Sequence, residues 1–156
     1  MLSPDALRLV HRAAGACALA ILILFQTTTL VSEIALSHEA VLAVKRMIVW
    51  GLIPLTLCLA ATGASGNLMA RKPLAGLLRT KMNRMTVAAA NGLLILIPSA
   101  LYLHAKAQAG VFDTGFYAVQ LLEITAGLVN VTMLSLNMRD GLTMTRKKRA
   151  RAAHAQ

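Results

Sequence analysis

Six side chains able to bind a proton, an ion or a polar solute lie within or beside otherwise apolar runs: Gln26, Glu33, Arg46, His104, Gln120 and Glu123. An ionisable group at membrane depth is costly unless it turns inward and finds a partner, so such residues are candidates for proton relays or binding groups. Helical spacing groups them. Arg12, Gly15, Gln26, Thr29 and Glu33 share one face of a first helix, and Gln120, Glu123, Gly127, Asn130 and Asn137 share one face of a last helix. A third helix offers Asn91, Pro98 and Tyr102 on roughly one face. At 1.5 Å per residue Glu123 lies on the order of 12 Å below the outer surface, Gln26 about 10 Å and Arg46 about 7 Å. These depths pair Arg46 with Glu123, and Lys45 or Arg46 with Glu33. Two acids balance two bases in this set, so an ion-pair network that only holds helices in register has the same signature as a proton or solute site.

Redox chemistry is the other use of such a bundle. Haem b needs axial ligands on facing helices at matched depth. The available imidazoles are His104, His38 and His11, of which His38 alone approaches the level of His104; a quinone could instead occupy the polar cluster. His11-Arg12-Ala13-Ala14-Gly15 resembles the His-Arg-x-x-Gly opening of haem-containing succinate dehydrogenase membrane anchors. Arg8 stands where that pattern has a serine and the second-helix haem histidine has no counterpart, so no residue role is transferred. Cys17 and Cys58 read as small apolar packing residues, with no Cys-x-x-Cys and no histidine at zinc-ligand spacing. Asn130-Val131-Thr132 matches a glycosylation triplet but is buried in a span. Neither a nucleophile elbow, a phosphate loop nor a His-Glu metal motif occurs, and an enzyme is not expected.

Four segments must position these groups. Ala13–Ser32, Met47–Ala70 and Met85–Leu103 carry no formal charge, and Thr114–Met138 is interrupted only by Glu123. Each matches the roughly 20 residues that a helix needs to span hydrocarbon. The expected fold is an all-α integral membrane bundle with transmembrane helices over about 9–33, 42–63, 85–105 and 115–138, followed by a basic tail, 143–156, that frays. Ser3-Pro4-Asp5 starts the first helix, Thr62–Gly66 stops the second, Asp113-Thr114 caps the fourth and Asp140-Gly141 closes it. Between the second and third spans, Leu74, Leu77, Leu78, Met82 and Met85 recur at helical spacing. They form a short amphipathic cytoplasmic segment or an extension of the third span. Tyr102, Phe112, Phe116 and Tyr117 mark the outer boundary, and Trp50 reads as a packing residue. Pro54 and Pro98 free the carbonyls of Trp50 and Leu94, which predicts kinks facing the interior.

With 57% hydrophobic residues in 156, almost the whole chain is spent on these spans. Its net charge of +10 is unevenly distributed. Thirteen of the sixteen basic residues precede the first span, lie between the second and third, or follow the fourth. Lys45, Arg46 and Lys106 alone fall on the other side, offset by Glu33, Glu39 and Asp113. The positive-inside rule then places both termini in the cytoplasm, with the chain in a bacterial-type inner membrane. Arg8 and Arg12 before Ala13–Phe25 look like a signal peptide, but no small-x-small site follows, so the first span is expected to be retained. The excess charge implies contact with anionic lipid headgroups rather than nucleic acid, because no aromatic residues interleave the basic tail. A homo-oligomer or a subunit of a larger membrane complex is expected. The leading functional expectation is a membrane protein whose buried cluster handles a proton or small solute. The alternatives are a haem b- or quinone-associated electron-transfer subunit and a structural or assembly subunit.

Overall fold

The structure is a computed structural model that describes residues 3–34, 37–69 and 76–153, the side chains of 147–153 excepted. All its elements are helical: α1 (Pro4–Ile34), α2 (His38–Met69), α3 (Leu77–Asn91), a π-helical turn (Gly92–Leu96), α4 (Ile97–Gln108) and α5 (Thr114–Ala153). α3, the π turn and α4 run on as one rod. The chain thus has four helices long and apolar enough to cross a membrane. Ser3 starts α1, its hydroxyl accepting the Ala6 N–H at 3.2 Å. Asp113 caps α5 in the same way, accepting the Phe116 N–H at 2.9 Å.

α1 packs along α2 and α5, α2 on α4, and α5 on both halves of the third rod. The result is a ring in chain order, α5 touching the most neighbours. One apolar cluster joins Ala18, Leu22, Leu55, Ala88 and Leu134; another, at the end that carries the α1–α2 and α4–α5 turns, joins Val41, Leu103, Ala107 and Phe116. That end is called here the turn end, and the opposite one the terminal end. Large apolar side chains such as Leu57, Leu94 and Leu121 face outward, as a lipid solvent permits.

Several expected boundaries and faces are corrected. The Thr62–Gly66 run does not stop α2, which continues to Met69, and Asp140-Gly141 does not close α5, which stays helical to Ala153. Glycine weakens a helix through its entropy and by exposing its backbone to water; here the neighbouring Thr62 and Ser65 are buried against α1, and that packing offsets the cost. The backbone continues as helix through the expected tail to Ala153. Between the second and third spans, the segment from Leu77 extends the third helix; Leu74 and the basic Arg71 and Lys72 lie outside the described residues. Trp50 is 69% exposed and Pro54 is exposed beside it. The buried positions of α2 are Val41, Lys45, Ile48, Leu55, Thr62 and Ser65, a 3-4 spaced stripe that neither residue joins. Pro98 and Tyr102 are also exposed while Asn91 points inward. The π turn is the reason: it holds one residue more than an α-turn, and so rotates everything after it relative to Asn91.

Candidate functional site

Glu123 at the turn end draws charged and polar side chains from α1, α2 and α5. It lies one turn beyond Gln120 on α5, and both are buried, at 8% and 4% exposure. Lys45 of α2, with no exposed surface at all, donates its ammonium to Glu123 Oε2. Gln120 Nε2 donates to the same oxygen at 3.3 Å. Glu33, on the last turn of α1, lies within electrostatic reach of Lys45, Glu123 and His38. Glu33 Oε1 and Gln120 Oε1 are buried with no hydrogen-bond partner among the described residues, as is His104 Nδ1 on α4. Native proteins leave few such atoms, and each needs an explanation.

Below this cluster Gln26 Nε2 donates to the Ile124 carbonyl at 2.8 Å. Its amide occupies the space where a side chain at position 127 would begin, so Gly127 is the seat that lets α1 reach the α5 backbone. A further turn down, Asn91 Nδ2 donates to the Ala126 carbonyl and to Asn130 Oδ1, both at 2.8 Å. Asn130 Nδ2 in turn donates to the Ala88 carbonyl at 3.2 Å. At the terminal end Asn137 Nδ2 donates to the Lys81 carbonyl at 3.2 Å, and Arg84 pairs with Asp140 at 2.6 Å.

The expected face of α5 is all inside: Gln120, Glu123, Gly127, Asn130, Leu134 and Asn137 are buried. On α1, Thr29 is buried and Gln26 and Glu33 are half-buried, whereas Arg12 faces outward. The expected partner of Glu123 requires correction. Arg46 is exposed, and Lys45 takes its place. Lys45 follows Val41 by four residues and precedes Ile48 by three, on the buried stripe of α2; Arg46 is turned about 100° from it. Leu42, Ala43, Val49 and Trp50 flank Arg46 at the same spacings, so residue type alone does not separate the two.

The three histidines among the described residues are dispersed. His38 is exposed and stacks on Phe112, ring centroids 4.0 Å apart. His104 is half-buried on α4. His11 of α1, at the terminal end, is half-buried against α2: its Nδ1 is 3.0 Å from the Thr62 carbonyl and 3.1 Å from Ser65 Oγ. A carbonyl only accepts, so Nδ1 carries the proton and donates, which leaves the Nε2 lone pair free. The sequence offered His11 only as an available imidazole, with no signal for this orientation. Among the described residues no group of three or more His, Cys, Asp or Glu could hold a metal ion. Two grooves of about 270 Å³ lie on the outside of the bundle, one along Pro98, Tyr102 and Leu122, the other along Thr28, Val31 and Val44. Neither opens among the charged residues.

No protein-family model, curated protein or solved structure matches the chain.

Proposed function

We propose that the chain is an integral membrane protein, with both termini in the cytoplasm, whose turn-end cluster binds and releases protons. The observation that carries this reading is the buried Lys45–Glu123 ion pair with a second carboxylate, Glu33 of another helix, within electrostatic reach of the same ammonium. With both acids ionised the cluster bears one uncompensated negative charge in a low dielectric, and a proton or a small cation is what balances it. Anionic headgroups at the basic end, and self-association or membership of a larger membrane complex, accompany this reading.

Proteoliposomes under an imposed potential, with a trapped pH dye, test it. Wild-type protein should acidify or alkalinise the lumen above the rate of empty liposomes, and Glu123→Gln should abolish that excess. If Glu123→Gln changes no flux and lowers only thermal stability, the cluster is an ion-pair network holding four helices in register.

One observation favours a second reading, an electron-transfer subunit holding haem b or serving a quinone. His11 has its Nδ1–H fixed on a backbone carbonyl and its Nε2 free, the arrangement by which ligating imidazoles are oriented. A Soret band in the purified protein that is lost in His11→Ala, or in His104→Ala, would establish it.

A further inference from the structure

The buried face of α5 carries polar groups that the protein satisfies to different degrees. Asn130 is closed: it donates to the Ala88 carbonyl and accepts from Asn91. Gln120 Oε1 on one side of it and Asn137 Oδ1 on the other are buried without a protein partner. Acceptors of this kind are satisfied by ordered water. Charged groups sit with each of them, Lys45 and Glu123 beside Gln120, Lys81 and Arg84 near Asn137. Between Asn130 and Asn137 the same face carries Leu134, packed with Ala18, Leu22, Leu55 and Ala88. The interval is seven residues, about 10 Å of helix. The side chains packed on Leu134 in this cluster are apolar, so water crossing between them would lose hydrogen bonds it cannot replace.

We propose that water enters this bundle from both ends in two separate half-pockets, one reaching Gln120 and Glu123 and the other reaching Asn137. Leu134 is the centre of the dry septum that keeps them apart. The arrangement goes beyond the proton reading, because it holds whether or not a proton crosses.

Thiol accessibility in liposomes tests it on the full chain, with Cys17 and Cys58 replaced by alanine. Single cysteines are introduced by Gln120→Cys, Asn130→Cys and Asn137→Cys, and Asp113→Cys and Arg79→Cys report the sidedness of each preparation. A charged, membrane-impermeant methanethiosulfonate should modify Gln120→Cys only from the Asp113 side and Asn137→Cys only from the Arg79 side, with Asn130→Cys protected from both. Adding Leu134→Ser should raise modification of Asn130→Cys from the Arg79 side roughly tenfold or more, since local opening of a dry layer is no longer required. The outward-facing Leu101→Ser should leave it unchanged. Modification of Asn130→Cys with Leu134 intact would overturn the proposal, as would protection of Asn137→Cys from both sides. So would a Leu134→Ser variant that elutes as folded protein and leaves Asn130→Cys protected; if that variant does not fold, Leu134→Ala is read in its place. Proton flux enters none of these readouts, so failure of the septum and failure of the proton reading are separate results.

Discussion

Lys45 and Arg46 are neighbours of the same charge, yet one is wholly enclosed and the other faces outward. A 100° turn of helix separates a structural commitment from a surface charge. Lys45→Met strands Glu123, and removing one member of a buried pair costs about 3–5 kcal/mol. Arg46→Gln should stay within about 0.5 kcal/mol of wild type. Equilibrium unfolding in mixed micelles measures both, and the double variant Lys45→Met with Glu123→Leu should recover most of the loss. Gly127 and Gly63 make a second contrast. An added methyl at 127 collides with the Gln26 amide, while at 63 nothing lies within 4 Å. Gly127→Ala should therefore cost about 1 kcal/mol or more through the Gln26–Ile124 hydrogen bond. Gly63→Ala should be neutral or stabilise by up to about 1 kcal/mol, the helix-propensity difference. Asp113, in the turn before α5, responds to pH. Its hydrogen bond from the Lys106 ammonium, and then that from the Phe116 N–H, hold its carboxyl below the usual carboxylate range. The stability it adds is complete above the unfolded-state value and is lost as pH falls through the lower folded one. Asp113→Asn should flatten the acid limb of a thermal-stability profile in that window.

The π turn is the element on which sequence and structure part most clearly. Proline at 98 has no N–H to give, which is legible in the sequence, and a kink over the freed carbonyl is the simple expectation. Five residues, Gly92–Leu96, instead adopt the wider turn, and the Ile97 N–H reaches back to the Gly92 carbonyl. The cost of the missing donor is spread along the helix and the face after it is rotated, so Pro98 and Tyr102 leave the interior that Asn91 enters. Whether a proline is absorbed by a kink or by a π turn depends on what the neighbouring helix offers. Here it offers Asn130 and the Ala126 carbonyl. Asn91→Ala removes both bonds, and a loss of about 1 kcal/mol in the same unfolding measurement is expected, the ordinary worth of interhelical hydrogen bonds in lipid. Gly66 of α2 and Gly141 of α5 belong to the same lesson. Read as helix stops, they serve as close-approach points: Gly66 beside the His11 ring and Gly141 beneath the Lys81 ammonium.

The whole molecule is a ring of four rods with charge gathered at one end and acids and bases mixed at the other. Substituted cysteines at Arg79 and at Asp113 should be modified from the cytoplasmic and the opposite face respectively, and reporters fused to both termini should read cytoplasmic. The reverse result would show that the basic residues of the terminal end do not set the orientation.

Composition and the 3-4 spacing of α5 determined that this chain is built of four apolar helices and that Gln120, Glu123, Asn130 and Asn137 face inward. Length and periodicity are local properties, and an apolar solvent leaves polar side chains only one direction to turn. What tertiary structure alone decided is which groups meet: Lys45 rather than Arg46 on Glu123, Gln26 on the α5 backbone, His11 on Thr62, and Asn91 without Pro98 beside it. Those pairings depend on the rotation and register of each helix against its neighbours. Rotation and register are set by where small residues allow close approach and where the π turn shifts a face, and neither can be read from one helix at a time.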